Sequence, residues 1–165
     1  MTSYRFCRPD DIPLLVEAVN SCYIPHFPQL APITVADFKR DIREAHVWCS
    51  SCMVAFNDAG ESIAIVIGYK TATETRIQRL GVRPGCERHG HARHLLSSLA
   101  QKLSVLGPPR LVTEVSADNR AACSLFESLG YHCEETFECS VDLLEETVIE
   151  KKGRFFRYAL NLAKS

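Results

Sequence analysis

One segment constrains the fold more than any other: a strand-like run ends in a polar loop that leads directly into an amphipathic helix. Residues 76–82 read as a strand that ends before Pro84, and the loop 85–90 begins and ends with glycine. From residue 91, apolar side chains recur at the spacing of one helical face: Ala92, Leu95, Leu96, Leu99, Leu103 and Leu106. Residues 111–116 read as the next strand, so the segment predicts a β-α-β unit with parallel strands and a right-handed crossover.

The rest of the chain predicts shorter elements around this unit. Strands are expected at 4–7, 47–56, 62–70, 131–141 and 155–162, and helices from about residue 10, at 34–44 and at 119–129. The turn Asn-Asp-Ala-Gly at 57–60 predicts an antiparallel hairpin, whereas three prolines within 23–33 argue against a helix there. The predicted fold class is α/β (α+β): a mixed, mostly antiparallel twisted sheet of about seven strands with about four flanking helices.

Composition narrows the function classes. A length of 165 residues suits a single domain spanning 1–165, and 46% hydrophobic with 24% charged residues excludes a disordered chain. A net charge of −1 argues against a dedicated nucleic-acid binder. The first residues lack the apolar core of an export signal, and no apolar run reaches the length of a membrane span. We therefore expect a cytoplasmic protein with no nucleic-acid or membrane partner.

The eight cysteines invite a metal or redox interpretation, which their spacing does not favour. Cys49 and Cys52 fall in a strand-like segment, where residues three apart point to opposite faces. No pair of CxxC motifs and no CxxC with a spaced histidine pair occurs, so we expect no metal site. Reduced packing residues are the expected role of most of these thiols.

The loop at 85–90 has two interpretations. A Walker A loop would require Lys and then Ser or Thr after the second glycine, but His91 and Ala92 follow Gly90. The first N–H groups of the helix nevertheless have no internal partner, and small residues at Gly90 and Ala92 would let a phosphate approach them. A plain polar turn at the start of a surface helix explains the same residues, and from this loop alone both interpretations stay open.

Two motifs in register with the predicted elements resemble a known family. Residues 82–96, VRPGCERHGHARHLL, resemble the acyl-CoA-binding motif of the GNAT superfamily of N-acyltransferases. Residues 114–131, EVSADNRAACSLFESLGY, resemble that family's second motif, in which E-V precedes Asn and a helix ends at Gly-aromatic. The pattern is most similar to the ribosomal-protein type of N-acetyltransferase.

The resemblance implies an acetyl-CoA site with the cosubstrate bound along the β-α-β unit. The pyrophosphate would lie on the backbone N–H groups at the start of the helix, the pantetheine arm along the preceding strand, and Asn119 would reach the CoA chain. The residues implied in binding are Leu80, Gly81, Val82, Arg88, His89, Gly90, His91, Ala92, Arg93 and Asn119. The segments 23–33 and 143–152 would bind the acceptor, a small-molecule amine or a peptide or protein amine.

The catalytic groups are less completely matched. Glu114, at the E-V position, is the first candidate for the base and Glu74 the second. A structural salt bridge is the alternative role of a glutamate on a strand. Gln78 stands where the family often has a carboxylate, and Phe126 where it usually has the tyrosine acid. Glu87 replaces a usual Arg or Gln and would repel a phosphate by about 1 kcal/mol at about 4 Å in water.

The sequence therefore leaves two functions open. The first is an N-acetyltransferase that moves an acetyl group from acetyl-CoA to a primary amine by direct attack in a ternary complex. The alternative is a catalytically silent acyl-CoA-binding or regulatory module of the same fold. The aromatic residues of the last strand are a candidate homodimer contact.

Overall fold

The computed structural model describes residues 1–44, 47, 51–139 and 153–162. The strands are β1 (Ser3–Phe6), β2 (Met53–Phe56), β3 (Ser62–Lys70), β4 (Glu74–Val82), β5 (Arg110–Ser116), β6 (His132–Cys139) and β7 (Gly153–Asn161). The α-helices are α1 (Ile12–Cys22), α2 (Val35–Glu44), α3 (His91–Leu106) and α4 (Arg120–Ser128). Short 3₁₀ turns occupy Pro9–Asp11 and Ile24–His26. None of the helices in these ranges is long and apolar enough to cross a membrane.

The strands form one seven-stranded sheet in the order β1-β2-β3-β4-β5-β7-β6. Every neighbouring pair is antiparallel except β4 and β5, which are parallel and joined through α3. The prediction of a mixed, mostly antiparallel sheet with four helices is confirmed. The last strand, β7, inserts between β5 and β6, an order that the sequence pattern does not indicate.

The sheet separates two apolar clusters. On the face that α3 and α4 cover, here the α3–α4 face, Leu95, Leu96, Leu99 and Leu103 of the predicted stripe are buried. Leu106, which was also predicted to belong to the stripe, is 72% exposed. On the opposite face, the α1–α2 face, Leu15 and Val19 of α1 pack with Phe38 of α2 against Ile65 and Ile67 of β3. Each fully buried Leu or Ile contributes about 1.5–3 kcal/mol relative to an exposed one. The two clusters hold β4 and β5 firmly at the centre of the molecule.

β4 and β5 pair over a short distance and then diverge. Their parallel register joins Glu74 to Arg110, Thr75 to Leu111, and Arg76 to Val112. Beyond Arg76 and Val112, the pairing in the described residues runs from β4 to β3 and from β5 to β7. The register between β3 and β4 also shifts, which leaves Gln78 opposite no residue of β3, and such bulges bend and twist a strand. A gap therefore opens between the carboxyl ends of β4 and β5.

Two predicted elements differ from the structure. Within the strand expected at 47–56, β2 covers Met53–Phe56, Val47 forms an isolated bridge to Tyr69, and residues 51 and 52 are not in a strand. Residues 48–50, which include Cys49, lie outside the described residues. Val47 and Cys52 are both buried although neither belongs to β2. Burial of apolar residues in this segment therefore does not by itself indicate a strand. The segment 23–33 includes the 3₁₀ turn Ile24–His26, which tolerates Pro25 because proline fits the first turn of a helix.

Local hydrogen bonds explain where α2 and the β2–β3 hairpin begin. Thr34 Oγ1 accepts the Asp37 N–H at 3.1 Å, and Asp37 Oδ2 accepts the Thr34 N–H at 2.8 Å, which is a capping box. These bonds lower the pKa of the Asp37 carboxyl. In the hairpin, Asn57 Oδ1 accepts the N–H groups of Ala59 and Glu61. The turn predicted at 57–60 is confirmed.

Candidate active site

The loop between β4 and α3 contains three residues in the left-handed conformation. Gly85 has φ +91°, Arg88 +67° and Gly90, the N-cap of α3, +80°. Arg88 is the one non-glycine residue with positive φ in the described ranges, and this conformation costs about 1–2 kcal/mol for an L-residue. Left-handed residues in a turn let backbone N–H groups converge on one side, where an anion can bind. This turn lies directly before the first turn of α3.

A pocket of about 260 Å³ lies at this N-terminus. The predicted cosubstrate residues that line it are Val82, Arg88, Gly90, His91, Ala92 and Arg93. Cys86 and Glu87 complete its wall on the loop side, and Ala121 and Leu125 of α4 close the other side. The pocket has the helix N-terminus at its end and apolar side chains along its wall, which suits a phosphate attached to an organic chain.

The charged and imidazole side chains around this pocket are partly engaged elsewhere. His91 is buried, its Nδ1 lies 3.0 Å from the Tyr4 hydroxyl, and burial lowers the pKa of its imidazole, which is therefore neutral at pH 7. Arg93 donates to Ser128 Oγ at 2.7 Å and so ties α3 to α4. Glu87 is exposed and accepts the Gly85 N–H at 3.4 Å. Arg88, also exposed, makes no such bond within the described part of the chain.

Four predicted binding residues do not line the pocket. Leu80 packs against the cluster on the α3–α4 face, and His89 is exposed. Gly81 faces α1 so closely that a Cβ would lie 2.3 Å from the Cys22 carbonyl oxygen, which excludes any side chain. Asn119 caps α4, since its Oδ1 accepts the Ala122 N–H at 3.2 Å. Leu80 and Gly81 nevertheless border the gap between β4 and β5.

Glu114 lies on the α1–α2 face, where it is bound by arginines. Leu111 and Val115 of β5 belong to the α3–α4 cluster, so Glu114 points to the other face. Its Oε2 accepts from Arg157 Nη2 at 2.8 Å and Nε at 3.2 Å, and lies 3.9 Å from Arg76 Nη1. The hydrogen bonds to Glu114 raise the pKa of the Arg157 guanidinium. The same contacts favour the charged form of Glu114.

Glu74 belongs to the same network but lies farther from the gap. Its Oε2 accepts from Arg76 Nε at 2.6 Å, and its Oε1 lies 3.7 Å from Arg110 Nε. Glu74 and Arg110 are partners at the paired end of β4 and β5, whereas Glu114 lies beyond the last paired residue, Val112. Arg76 joins the two glutamates into one network. The position of Glu114 next to the gap fits a reacting group better than that of Glu74.

A buried aromatic ring occupies the position where the family usually has its acid. Phe126 is buried, packs edge-to-face on Tyr131 with ring centroids 5.0 Å apart, and stacks on Tyr158 at 6.2 Å. Tyr131 lies in the core, and burial raises the pKa of its phenol. Tyr158 donates to Glu127 Oε2 at 2.5 Å, and Cys123 is buried beside it with its Sγ 3.6 Å from the Ser116 carbonyl oxygen.

Three groups at the site were missed by reasoning from the sequence. Ala121 and Leu125 form the α4 wall of the pocket, and their place in the A-x-x-L part of the second motif was the available signal. Arg79, in the middle of β4, is buried on the α1–α2 face. Arg157 binds Glu114 across the β5–β7 ladder, which no local pattern indicates.

Comparison with known proteins identifies relatives of part of the chain. Mycothiol acetyltransferase of Streptomyces avermitilis is 32% identical over 130 residues, which is 72% of this chain and 39% of that protein. [Ribosomal protein bS18]-alanine N-acetyltransferase of Escherichia coli is 36% identical over 73 residues, 44% of this chain and 49% of that one. The chain thus spans less than half the length of either curated relative in these matches.

The fold has solved counterparts of the same size. The crystal structure of the ribosomal-protein-S18-alanine N-acetyltransferase from Escherichia coli has a TM-score of 0.74 at 21% identity, covering 100% of this chain and 96% of that one. The family model described as "Acetyltransferase (GNAT) family" matches residues 12–131, a stretch that includes both motifs and the pocket. With most of its length matched in this way, the chain belongs to the acetyltransferase (GNAT) family.

Proposed function

We propose that this chain binds acetyl-CoA at the N-terminus of α3 and transfers the acetyl group to a primary amine within a ternary complex. The observation that carries the proposal is the pocket at that N-terminus, which lies beside the gap between β4 and β5. The pyrophosphate would accept hydrogen bonds from the N–H groups at residues 88–92. The pantetheine arm would pass along Leu80, Gly81 and Val82, on the side of β4 from which β5 diverges.

The proposed chemistry needs a neutral amine close to the thioester. Deprotonating an amine of pKa about 10.4 at pH 7 costs about 4.6 kcal/mol, so a proton acceptor is required. Glu114, directly or through a water molecule, would take that proton from the side of the α1–α2 face. The amine nitrogen then forms a bond to the carbonyl carbon, the carbon–sulfur bond breaks, and CoA leaves as a thiolate. The second proton of the attacking nitrogen passes to solvent water as the amide forms. Phe126 cannot protonate the thiolate, which is stable enough to leave unprotonated because thiol pKa values are about 8.5.

The proposed acceptor is defined by its chemical class. The curated relatives are named for mycothiol and for an alanine of a ribosomal protein. These names describe the relatives and not this chain. For this chain we propose a primary amine on a small molecule, a peptide or a protein. Its entry side is the α1–α2 face, because Glu114 and the segment that begins at Tyr23 both lie there.

The cosubstrate site can be tested through its own cysteine. Cys86 lines the pocket and is half-buried, whereas Cys133 is exposed on β6. Saturating acetyl-CoA, which carries no free thiol, is expected to slow alkylation of Cys86 by iodoacetamide about 10-fold or more, because the bound ligand covers the thiol. Peptide mass spectrometry over time measures each cysteine separately.

Cys133 is the internal control of this experiment, since it lies on the edge strand away from the pocket. Its alkylation rate should be the same with and without acetyl-CoA. Equal rates at Cys86 under both conditions would contradict binding in this pocket. Slowing of both cysteines would indicate a general tightening of the protein instead of local protection.

The alternative, a silent acyl-CoA-binding module, is favoured by two observations. Glu114 already forms an ion pair with Arg157, and the aromatic ring of Phe126 supplies no proton. Release of free CoA from acetyl-CoA across a panel of amines separates the two functions. Protection of Cys86 without any amine-dependent release would support the module, whereas amine-dependent release supports the enzyme.

A further inference from the structure

Buried polar atoms without partners concentrate on one stretch of β4. Thr75 Oγ1, Gln78 Oε1 and Arg79 Nε have no hydrogen-bond partner within the described residues. Buried polar atoms in folded proteins are nearly always paired, so such a group indicates a ligand or ordered water. Gln78 and Arg79 adjoin the register shift with β3, past the last residue that pairs with β5. They therefore lie at the gap where the acetyl group would be transferred.

Arg79 is the most unusual of these residues. It is 4% exposed, and its guanidinium carbon lies 5.4 Å from the centre of the Tyr23 ring. Asp41 and Asp37 of α2 act on it through space, but neither forms an ion pair with Arg79 in the described part of the chain. Burial lowers the pKa of its guanidinium. The group stays charged in any case, because arginine does not lose its proton in proteins.

A buried guanidinium without a carboxylate partner is costly for the folded chain. A guanidinium loses its hydration when it is buried, and stacking on one tyrosine offsets this loss only in part. Of the two nearby carboxylates, the buried Asp41 acts on Arg79 more strongly but forms no ion pair with it. Asp37 is already bonded to Thr34 and Arg40. An anion that enters from outside would supply the missing partner, and the planar guanidinium matches a carboxylate through two parallel hydrogen bonds.

The residues around Arg79 indicate whether the cosubstrate or the acceptor carries that anion. Arg79 faces Tyr23, the first residue of the segment 23–33, and so lies on the α1–α2 face, opposite the pocket at α3. Arg76 and Arg157 lie on the same face, each bonded to a glutamate of the network. The cosubstrate pyrophosphate is thus assigned to the other face, and the acceptor amine is the ligand that approaches Arg79.

We propose that the acceptor carries a carboxylate, which Arg79 binds while the amine lies in the gap between β4 and β5. The inference rests on the proposed function and narrows its substrate class. The carboxylate belongs either to a free amino acid or to an acidic residue next to the amine of a peptide. Arg79 in this role determines specificity and orients the acceptor.

Matched acceptor pairs test the proposal. Each free amino acid is compared with its α-amide, and each peptide with Asp or Glu at its second position is compared with the Asn or Gln peptide. The wild-type protein is expected to favour the carboxylate member by about 10- to 100-fold in kcat/KM, the range for a hydrogen bond to a charged group. Arg79→Gln should bring this ratio to about one, mainly through KM.

The ratio is independent of how much of the variant folds, because both acceptors are measured on the same sample. Arg43→Gln is the matched control: Arg43 is exposed on α2, and its loss should leave the ratio unchanged. If the protein prefers the free amino acid over its amide, the carboxylate that binds Arg79 is that of a free amino acid. If it prefers the acidic peptide over its amide counterpart, the carboxylate is that of an acidic residue next to the amine of a peptide. A wild-type ratio near one, or a ratio that survives Arg79→Gln, would overturn the proposal.

A binding measurement separates this proposal from the proposed function. If acetyl-CoA protects Cys86 but no amine is acetylated, the thermal shift of CoA-saturated protein is measured with the same acceptor pairs. A shift by the carboxylate member, lost in Arg79→Gln, supports the anion site although catalysis fails. No shift by any carboxylate acceptor overturns the anion site, whereas protection of Cys86 still supports the acetyl-CoA site.

Discussion

Gly90→Glu is expected to abolish the rise in Tm that acetyl-CoA gives to the wild-type protein. A ligand at 100-fold its Kd stabilises a protein by about 2.7 kcal/mol, which corresponds to about 5–10 °C for a domain of this size. Gly90 is the N-cap of α3 and lies in the pocket wall, so a glutamate there places a negative charge where the pyrophosphate would bind. Differential scanning fluorimetry with and without acetyl-CoA measures the effect.

The substitution should leave the protein folded, which makes the loss interpretable. A Cβ at Gly90 would meet no atom within 4 Å, so the cost is confined to its left-handed backbone, with φ +80°. Gly60 in the β2–β3 hairpin is a matched control, because it has the same φ of +80° and the same open space. Gly60→Glu should lower the Tm of the unliganded protein by a similar amount and keep the full acetyl-CoA shift. A full shift in Gly90→Glu would remove the pocket as the phosphate site.

The parts of the fold that were predictable are those that local periodicity specifies. The stripe Leu95, Leu96, Leu99 and Leu103 identified α3, and the glycines at 85 and 90 located the loop before it, because both signals lie within one turn or one helix. The strand expected at 47–56 was wrong at residues 51 and 52, which are buried but do not lie in a strand. A short apolar run does not distinguish burial within a strand from burial outside one.

The electrostatic environment of the site was not predictable, because it depends on the order of strands. Arg157 binds Glu114 from a position 43 residues away, and it does so because β7 inserts between β5 and β6. The register pairs Glu114 directly with Arg157. Arg79 gave no local signal, because the alternation of buried and partly buried positions along β4 is a property of the fold. Its lack of a carboxylate partner depends on how α1 and α2 pack against β4, which no local sequence pattern specifies.

Glu114→Gln is expected to reduce kcat about 100-fold or more at pH 7, provided that the acceptor amine is protonated in solution. The amide keeps the size of the side chain but cannot take the proton, and general bases contribute about 10²–10⁴-fold. The deficit should shrink as the pH approaches the pKa of the amine, because the neutral amine then exists before it binds. Initial rates of CoA release between pH 6 and 10 measure both effects.

The ion pair with Arg157 provides a sharper form of this test. Because Arg157 stabilises the charged form of Glu114, Arg157→Gln should move the acid limb of the kcat/KM profile to higher pH if Glu114 is the base. Glu74→Gln is the comparison, since Glu74 carries a similar pair of arginine contacts at the closed end of β4 and β5. We expect Glu74→Gln to lower kcat by less than about 10-fold, well below the contribution of a general base.

A wild-type profile in Glu114→Gln with a large loss in Glu74→Gln would assign the base to Glu74. Wild-type profiles in both would leave the proton to water, and the network would then serve only to hold β4, β5 and β7 together.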